Sequence, residues 1–182
     1  MKTTLKKILL ISCIALFSNT LYAEGFTLTS KDLQGQITKD QVFNGFGCVG
    51  KNISPQLSWK NVPKGTKSFA ITMYDPDAPT GSGWWHWVVF DIADSTDEIK
   101  SNASKLNKLP KGSIQGKSDY GLNEFGGACP PRGDGFHTYI TTVYALDVKT
   151  LGLNKETSSA IVGYKLNMHT IEKSSIVTYY KR

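Results

Sequence analysis

The sequence predicts a mainly β protein, an antiparallel β-sandwich with one or two short helices. Three observations carry that expectation. Several strand-length segments are apolar or rich in β-branched and aromatic residues, one of them alternating at period two, Pro and Gly interrupt the chain at short intervals, and one late segment carries a helical stripe. Taken in order, "FTLTS" (26–30), "QVF" (41–43) and "LSW" (57–59) are short strand candidates. "SFAITMY" (68–74) sets Phe69, Ile71 and Met73 against Ala70, Thr72 and Tyr74, two half-buried faces. "WHWVVFDI" (85–92) is apolar on both faces, as in a central strand. Residues 95–108 hold at most a broken helical turn. "HTYITTVYALDV" (137–148) is rich in β-branched and aromatic residues. "SSAIVGYKLNMHTIEK" (158–173) reads as a helix capped by Ser or Thr, and the tail "SSIVTYYKR" as a strand. "VPKGTK", "LPKGSIQGKSDYG" and "FGGACPPRGDG" are the loops between them.

Residues 1–23 read as a secretory signal rather than as part of the fold. Lys2, Lys6 and Lys7 precede an apolar run from Ile8 to Phe17, and Leu21-Tyr22-Ala23 makes a cleavage site before Glu24. "LISC" ending at Cys13 is the rival, a lipoprotein box, but the apolar run continues past that cysteine. Cleavage leaves 159 residues, 24–182, enough for one domain with a sizeable core and with no repeat or linker to divide it. Three of the 21 Lys and Arg leave with the signal and no acid does, so the formal charge falls from +6 to +3. No basic run exceeds two residues, which speaks against a nucleic-acid groove. The destination is export, the periplasm where an outer membrane exists, with no stable membrane anchor.

Two cysteines remain, Cys48 and Cys129, and in an exported protein an even pair predicts a disulfide. Closing so long a loop would stabilise the fold by about 4–5 kcal/mol on chain-entropy grounds.

Chemistry concentrates in two stretches. In "DPDAPTGSGWWHW" (75–87), a stiff acidic turn feeds a strand carrying His86. In "CPPRGDGFHTY" (129–139), His137 and Tyr139 are two apart at a strand start, on one face. Loop–strand junctions are where a sandwich places its sites. His169, Arg132 and Lys111 read as solvated charges.

"DPDAP", "WHW" and "PPRGDGFHTY", together with "CVGKNISPQLSW" and "GGACPP", resemble the signatures of the phosphatidylethanolamine-binding protein family, in its bacterial Raf-kinase-inhibitor-like branch. The resemblance spans roughly residues 26–180. It implies a β-sandwich with a small anion pocket, able to receive a phosphoryl head group, lined by Asp75, Asp77, Pro79, His86, Pro131, His137 and Tyr139. It also implies a non-catalytic binding protein, without cofactor or metal, that could modulate a kinase- or protease-like partner. Two departures stand out. Thr138 occupies a position where the family often has Arg, and no segment matches the C-terminal helix that covers the pocket in animal members.

On this reading His86, His137 and Tyr139 donate hydrogen bonds to the anion, with Asp75 orienting an imidazole, so binding should tighten as pH falls through about 6.5. Two other classes compete. Asp75, Asp77, His86 and His137 could hold a metal for hydrolysis, although no compact ligand spacing such as HExxH occurs. Alternatively, Trp84 or Trp85 could bind carbohydrate or peptide; core packing is the preferred reading of the tryptophans.

Overall fold

Three long strands carry the architecture: β5 (Ser68–Asp75), β6 (Trp84–Ala93) and β9 (His137–Leu146). The computed structural model describes residues 25–182. The signal segment, 1–23, lies outside the described residues. β5 sits between β9 and β6, antiparallel to both. β10 (Thr170–Tyr180) and β8 (Ile114–Gln115) extend the sheet to the order β10-β9-β5-β6-β8. A second sheet, β1-β4-β7, is built from Thr27–Thr29, Leu57–Lys60 and Glu98–Ile99. A two-residue hairpin, β2 (Asn44–Gly45) with β3 (Cys48–Val49), stands apart from both.

Period-two alternation decides what meets in the core. Phe69, Ile71 and Met73 of β5, Trp87 and Val89 of β6, and Tyr139 and Val143 of β9 form one buried cluster with Leu28, Leu57, Trp59 and Ile99 of the smaller sheet. That is the interior of the sandwich. The reverse face of the large sheet offers Ala70, Val88, Phe90 and Leu146, and Val162 and Leu166 of α1 (Ser159–His169) close over them. Each fully buried aromatic or aliphatic side chain here contributes about 1.5–3 kcal/mol.

The mainly β antiparallel class is therefore observed, and the described residues hold a single α-helix. It begins as expected, with the Ser158 hydroxyl accepting from the Ile161 amide. It ends earlier than its apolar stripe. Thr170 and Ile171 are β-branched, and pairing of Thr170 with Leu146 starts β10 at once, so the strand wins residues 170–173. Residues 101–107 form consecutive turns, with Asn102 and Asn107 at positive φ, which stops any helix there. "QVF" is no strand: Val42 makes one isolated bridge, to Ala128. Cys48 and Cys129 are joined, tying the β2–β3 hairpin to the Pro-Pro loop.

Candidate functional site

A β-bulge creates the site. Tyr74 pairs with Trp85 and Met73 with Trp87, so His86 is the extra residue between two ladder partners. Strict alternation would place neighbours on opposite faces. The bulge instead lets His86 share the sandwich face with Trp87, against Tyr139, while Trp85 joins the cluster under the helix. His86 thus closes the floor of a cavity of about 190 Å³ at one end of the sandwich, on the order of six waters at liquid density.

Asp75 ends β5 at the same place. Its Oδ1 accepts from the Asp77 amide at 2.9 Å, an Asx-turn that the "DPDAP" sequence favours. Its Oδ2 accepts from His137 Nδ1 at 2.8 Å, and the two side chains are 3% and 2% exposed. On the far side of that ring, His137 Nε2 donates to Asp134 Oδ2 at 3.1 Å. Burial alone would lower the His137 pKa, but hydrogen bonds to Asp75 and Asp134 and their charges more than offset it, so the pKa is raised. His137 is an imidazolium clamped between two carboxylates.

His86 is the opposite case. Its Nδ1 lies 2.8 Å from the Gly126 carbonyl and 3.2 Å from that of Gly127. Carbonyls only accept, so Nδ1 carries the proton and Nε2 bears a lone pair. Burial drives the pKa down to about 4, so the ring is neutral. Glycine is required in this loop where it packs against residues 41–43, because a Cβ at Gly127 would meet the Gln41 carbonyl at 2.1 Å. Asn52 braces the same loop, accepting from the Gly127 amide and donating to the Phe125 carbonyl.

The structure brings Asp75, Pro79, His86, Pro131, His137 and Tyr139 around this one cavity. Asp77 is not among the lining residues. It is exposed and turned outward, its carboxylate accepting from the Thr138 amide at 2.7 Å, and hydrogen bonding to the Thr138 hydroxyl first and that amide second lowers its pKa. Its place is structural because the Asx-turn at Asp75 points the next acid along β9. The expected hydrogen-bond roles of the histidines also change. Both His137 N–H groups are taken by carboxylates, and His86 offers an acceptor.

Two lining residues, Tyr120 and Phe46, and two that support the lining, Arg182 and Asp134, escaped the sequence reading. Tyr120 donates to the Gly127 carbonyl at 2.8 Å, and its ring stacks on Phe43. Phe46, 71% exposed, overhangs the mouth from the hairpin. Arg182 reaches the Phe46 carbonyl at 3.3 Å and the disulfide sulfur of Cys48 at 3.0 Å. Asp134 sat in a quoted motif without a role. Tyr120, Phe46 and Arg182 carry no local signal, since long-range contacts place them, whereas Asp134 lies only three residues before His137. The tryptophans divide: Trp59 and Trp87 are core, Trp85 packs on Tyr74, and Trp84 lines the cavity.

Among the described residues, the cavity-lining side chains leave three buried polar atoms without a hydrogen-bond partner: His86 Nε2, Tyr139 Oη and Trp84 Nε1. Burial, with Asp75 nearby, raises the Tyr139 and Tyr120 pKa values, so both phenols keep their protons. Among the described residues no group of three or more His, Cys, Asp or Glu side chains is arranged to hold a metal ion.

The sequence model of the family described as Phosphatidylethanolamine-binding protein matches residues 30–181. The chain is 43% identical over 181 residues to the UPF0098 protein YbcL of Escherichia coli K12, covering 97% of this chain and 99% of that protein. It is 44% identical over 156 residues to YbhB of the same organism, covering 84% and 98%. The crystal structure of E. coli YbcL, described as a new member of the mammalian PEBP family, superposes with a TM-score of 0.85 at 45% identity, over 87% of this chain and 99% of that one. The PEBP homologue CT736 of Chlamydia trachomatis gives 0.71 at 26% identity, over 87% and 98%.

Proposed function

The chain belongs to the phosphatidylethanolamine-binding protein family, and from that premise we propose that it is an exported, non-catalytic binding protein whose cavity receives a small phosphoryl group or a related anion. The observation that carries this reading is the set of unpartnered buried atoms at the cavity. An unmet buried donor or acceptor costs about 1–3 kcal/mol, a cost that a bound guest removes. Trp84 Nε1–H is a donor without an acceptor among the described residues, and Tyr139 O–H has only the Asp75 carboxylate beside it, with no well-formed hydrogen bond; a phosphoryl oxygen would satisfy both. The apolar rim formed by Phe46, Pro79 and Pro131 suits the carbon portion of an ester.

Phosphoethanolamine titrated by calorimetry tests the reading. One saturable site is expected, with affinity falling about tenfold or more in Tyr139→Phe, which keeps the ring and removes the donor. Equal affinity in wild type and variant would remove the cavity from the account.

Export is part of the proposal. Its support is the basic-then-apolar segment at residues 2–17 and a disulfide suited to an oxidising compartment. Protein recovered from the periplasm should begin at Glu24 by intact mass; material retaining residues 1–23 would contradict it.

A further inference from the structure

The unpartnered atoms at the cavity specify more than a negative charge. Two are donors, Tyr139 O–H and Trp84 Nε1–H, and one, His86 Nε2, is an acceptor. We propose that the cavity takes its phosphoryl guest in the singly protonated form, R–O–PO₃H⁻, with the guest's P–OH donating to His86 Nε2 and its unprotonated oxygens accepting from Tyr139 and Trp84. The inference rests on the phosphoryl reading above and names the protonation state that reading leaves open.

Geometry fixes the acceptor. His86 Nδ1–H is held by the two carbonyls of Gly126 and Gly127, so the ring does not flip its tautomer without leaving the Gly126 carbonyl unmet. A fully ionised phosphate ester presents only acceptors, and one of its oxygens would then face the His86 lone pair.

The surrounding charges agree. The groups facing His86 are Asp75 at the end of β5, His137 and Tyr139 on β9, and Tyr120 on the loop. The positive charge of His137 is already outnumbered by the carboxylates of Asp75 and Asp134, and among the described residues no Lys or Arg lines the cavity, so a second negative charge on the guest finds no free cation there. Burial and the neighbouring His137 both resist protonation of His86 itself. The proton that bridges guest and ring therefore comes from the guest.

Two ligands separate the possibilities. Methyl phosphate loses its P–OH as pH rises through about 6, whereas dimethyl phosphate is a monoanion with no P–OH across the whole range from pH 5 to 8. Calorimetry at pH 5 should give at least tenfold tighter binding for methyl phosphate. Its affinity should level off below about pH 6 and fall about tenfold per pH unit well above it. Because proton uptake by His86 would produce a similar slope, ¹⁵N NMR of the wild-type complex decides where the proton sits. Nε2 should keep the signature of an unprotonated nitrogen accepting a hydrogen bond. An imidazolium signature at His86, or dimethyl phosphate binding as tightly as methyl phosphate, overturns the inference and leaves the phosphoryl reading standing. No methyl phosphate binding between pH 5 and 8 overturns both.

Discussion

His137 Nδ1 stands 2.8 Å from Asp75 Oδ2, and the two side chains are almost sealed from solvent, at 2% and 3% exposure. Such a pair seldom adds net stability, because desolvation takes back much of the Coulomb gain, but removing one member strands the other. Asp75→Asn leaves the His137 imidazolium with Asp134 alone, whose side chain is 41% exposed. The variant should lose about 3–5 kcal/mol in denaturant unfolding, and NMR titration should show the His137 pKa falling from its raised position. An unchanged His137 titration would show that the pair does not hold the ring's charge.

The two buried histidines impose opposite slopes on stability against pH. His86 has a folded pKa of about 4, below its ordinary value near 6.5, so the unfolded chain binds more protons between those limits. Its contribution is full above about pH 6.5 and is lost as pH falls toward 4, up to about 3 kcal/mol. The raised pKa of His137 works the other way: its contribution is full below about 6.5 and fades as pH rises through the folded value. Unfolding free energies measured from pH 4.5 to 8 should therefore peak near neutrality. His86→Gln should flatten the acid limb and leave the alkaline limb alone; a variant that keeps the full acid slope would refute this assignment.

Asp77 ties the acidic turn to the first residues of β9 through one charge-assisted bond to the Thr138 amide. Asp77→Ala should cost about 1–2 kcal/mol, and Asp77→Asn, which retains an acceptor, less than half of that. Because the side chain is exposed and does not line the cavity, methyl phosphate affinity should change less than threefold in the Asn variant. A tenfold loss there would return Asp77 to the ligand-contacting set. The lowered pKa, set by the Thr138 hydroxyl first and its amide second, adds another mark: the contribution of these bonds is present above about pH 3.8 and is lost as pH falls below that value.

What the sequence disclosed follows from the range of each interaction. β5 was legible because period-two alternation is local, β9 because its β-branched and aromatic residues are, and "HTY" placed His137 and Tyr139 on one face because strand geometry is local too. Asp75 and His86 were legible as residues, but the bulge that turns His86 onto the sandwich face was not, since it exists only in the pairing of β6 with β5. The hydrogen-bond role of His86 was not legible because it depends on the carbonyls of Gly126 and Gly127, forty residues and more away, whereas Asp134, three residues before His137, was within local reach and was passed over. Tyr120 and Phe46 sit in loops whose paths are set by contacts with distant chain, as when Tyr120 stacks on Phe43. The end of α1 was missed because strand pairing at Thr170 overrides a continuing apolar stripe.

The disulfide joins stability to the cavity, because Cys129 lines its wall and Cys48 belongs to the hairpin that holds Phe46 over its mouth. The bond closes a sequence separation of 81 residues, so its loss should cost about 4 kcal/mol if the unfolded chain is well solvated. The hairpin retains other ties after that loss: the Val42–Ala128 bridge, the Phe43–Tyr120 stack at 4.1 Å and the hydrogen bond from Arg182 to Phe46. Cys48→Ser with Cys129→Ser should therefore fold at 25 °C yet melt well below the wild type, by about 10 °C or more for a domain of this size. Reductant should lower the wild-type midpoint toward that of the variant and leave the variant unmoved. Trp84 fluorescence, isolated by replacing Trp85 with Phe and subtracting the buried tryptophans' spectrum, should shift to the red before global unfolding as the wall beside it loosens. A variant with wild-type melting and an unshifted Trp84 would mean that the loop and hairpin hold the cavity without the bond.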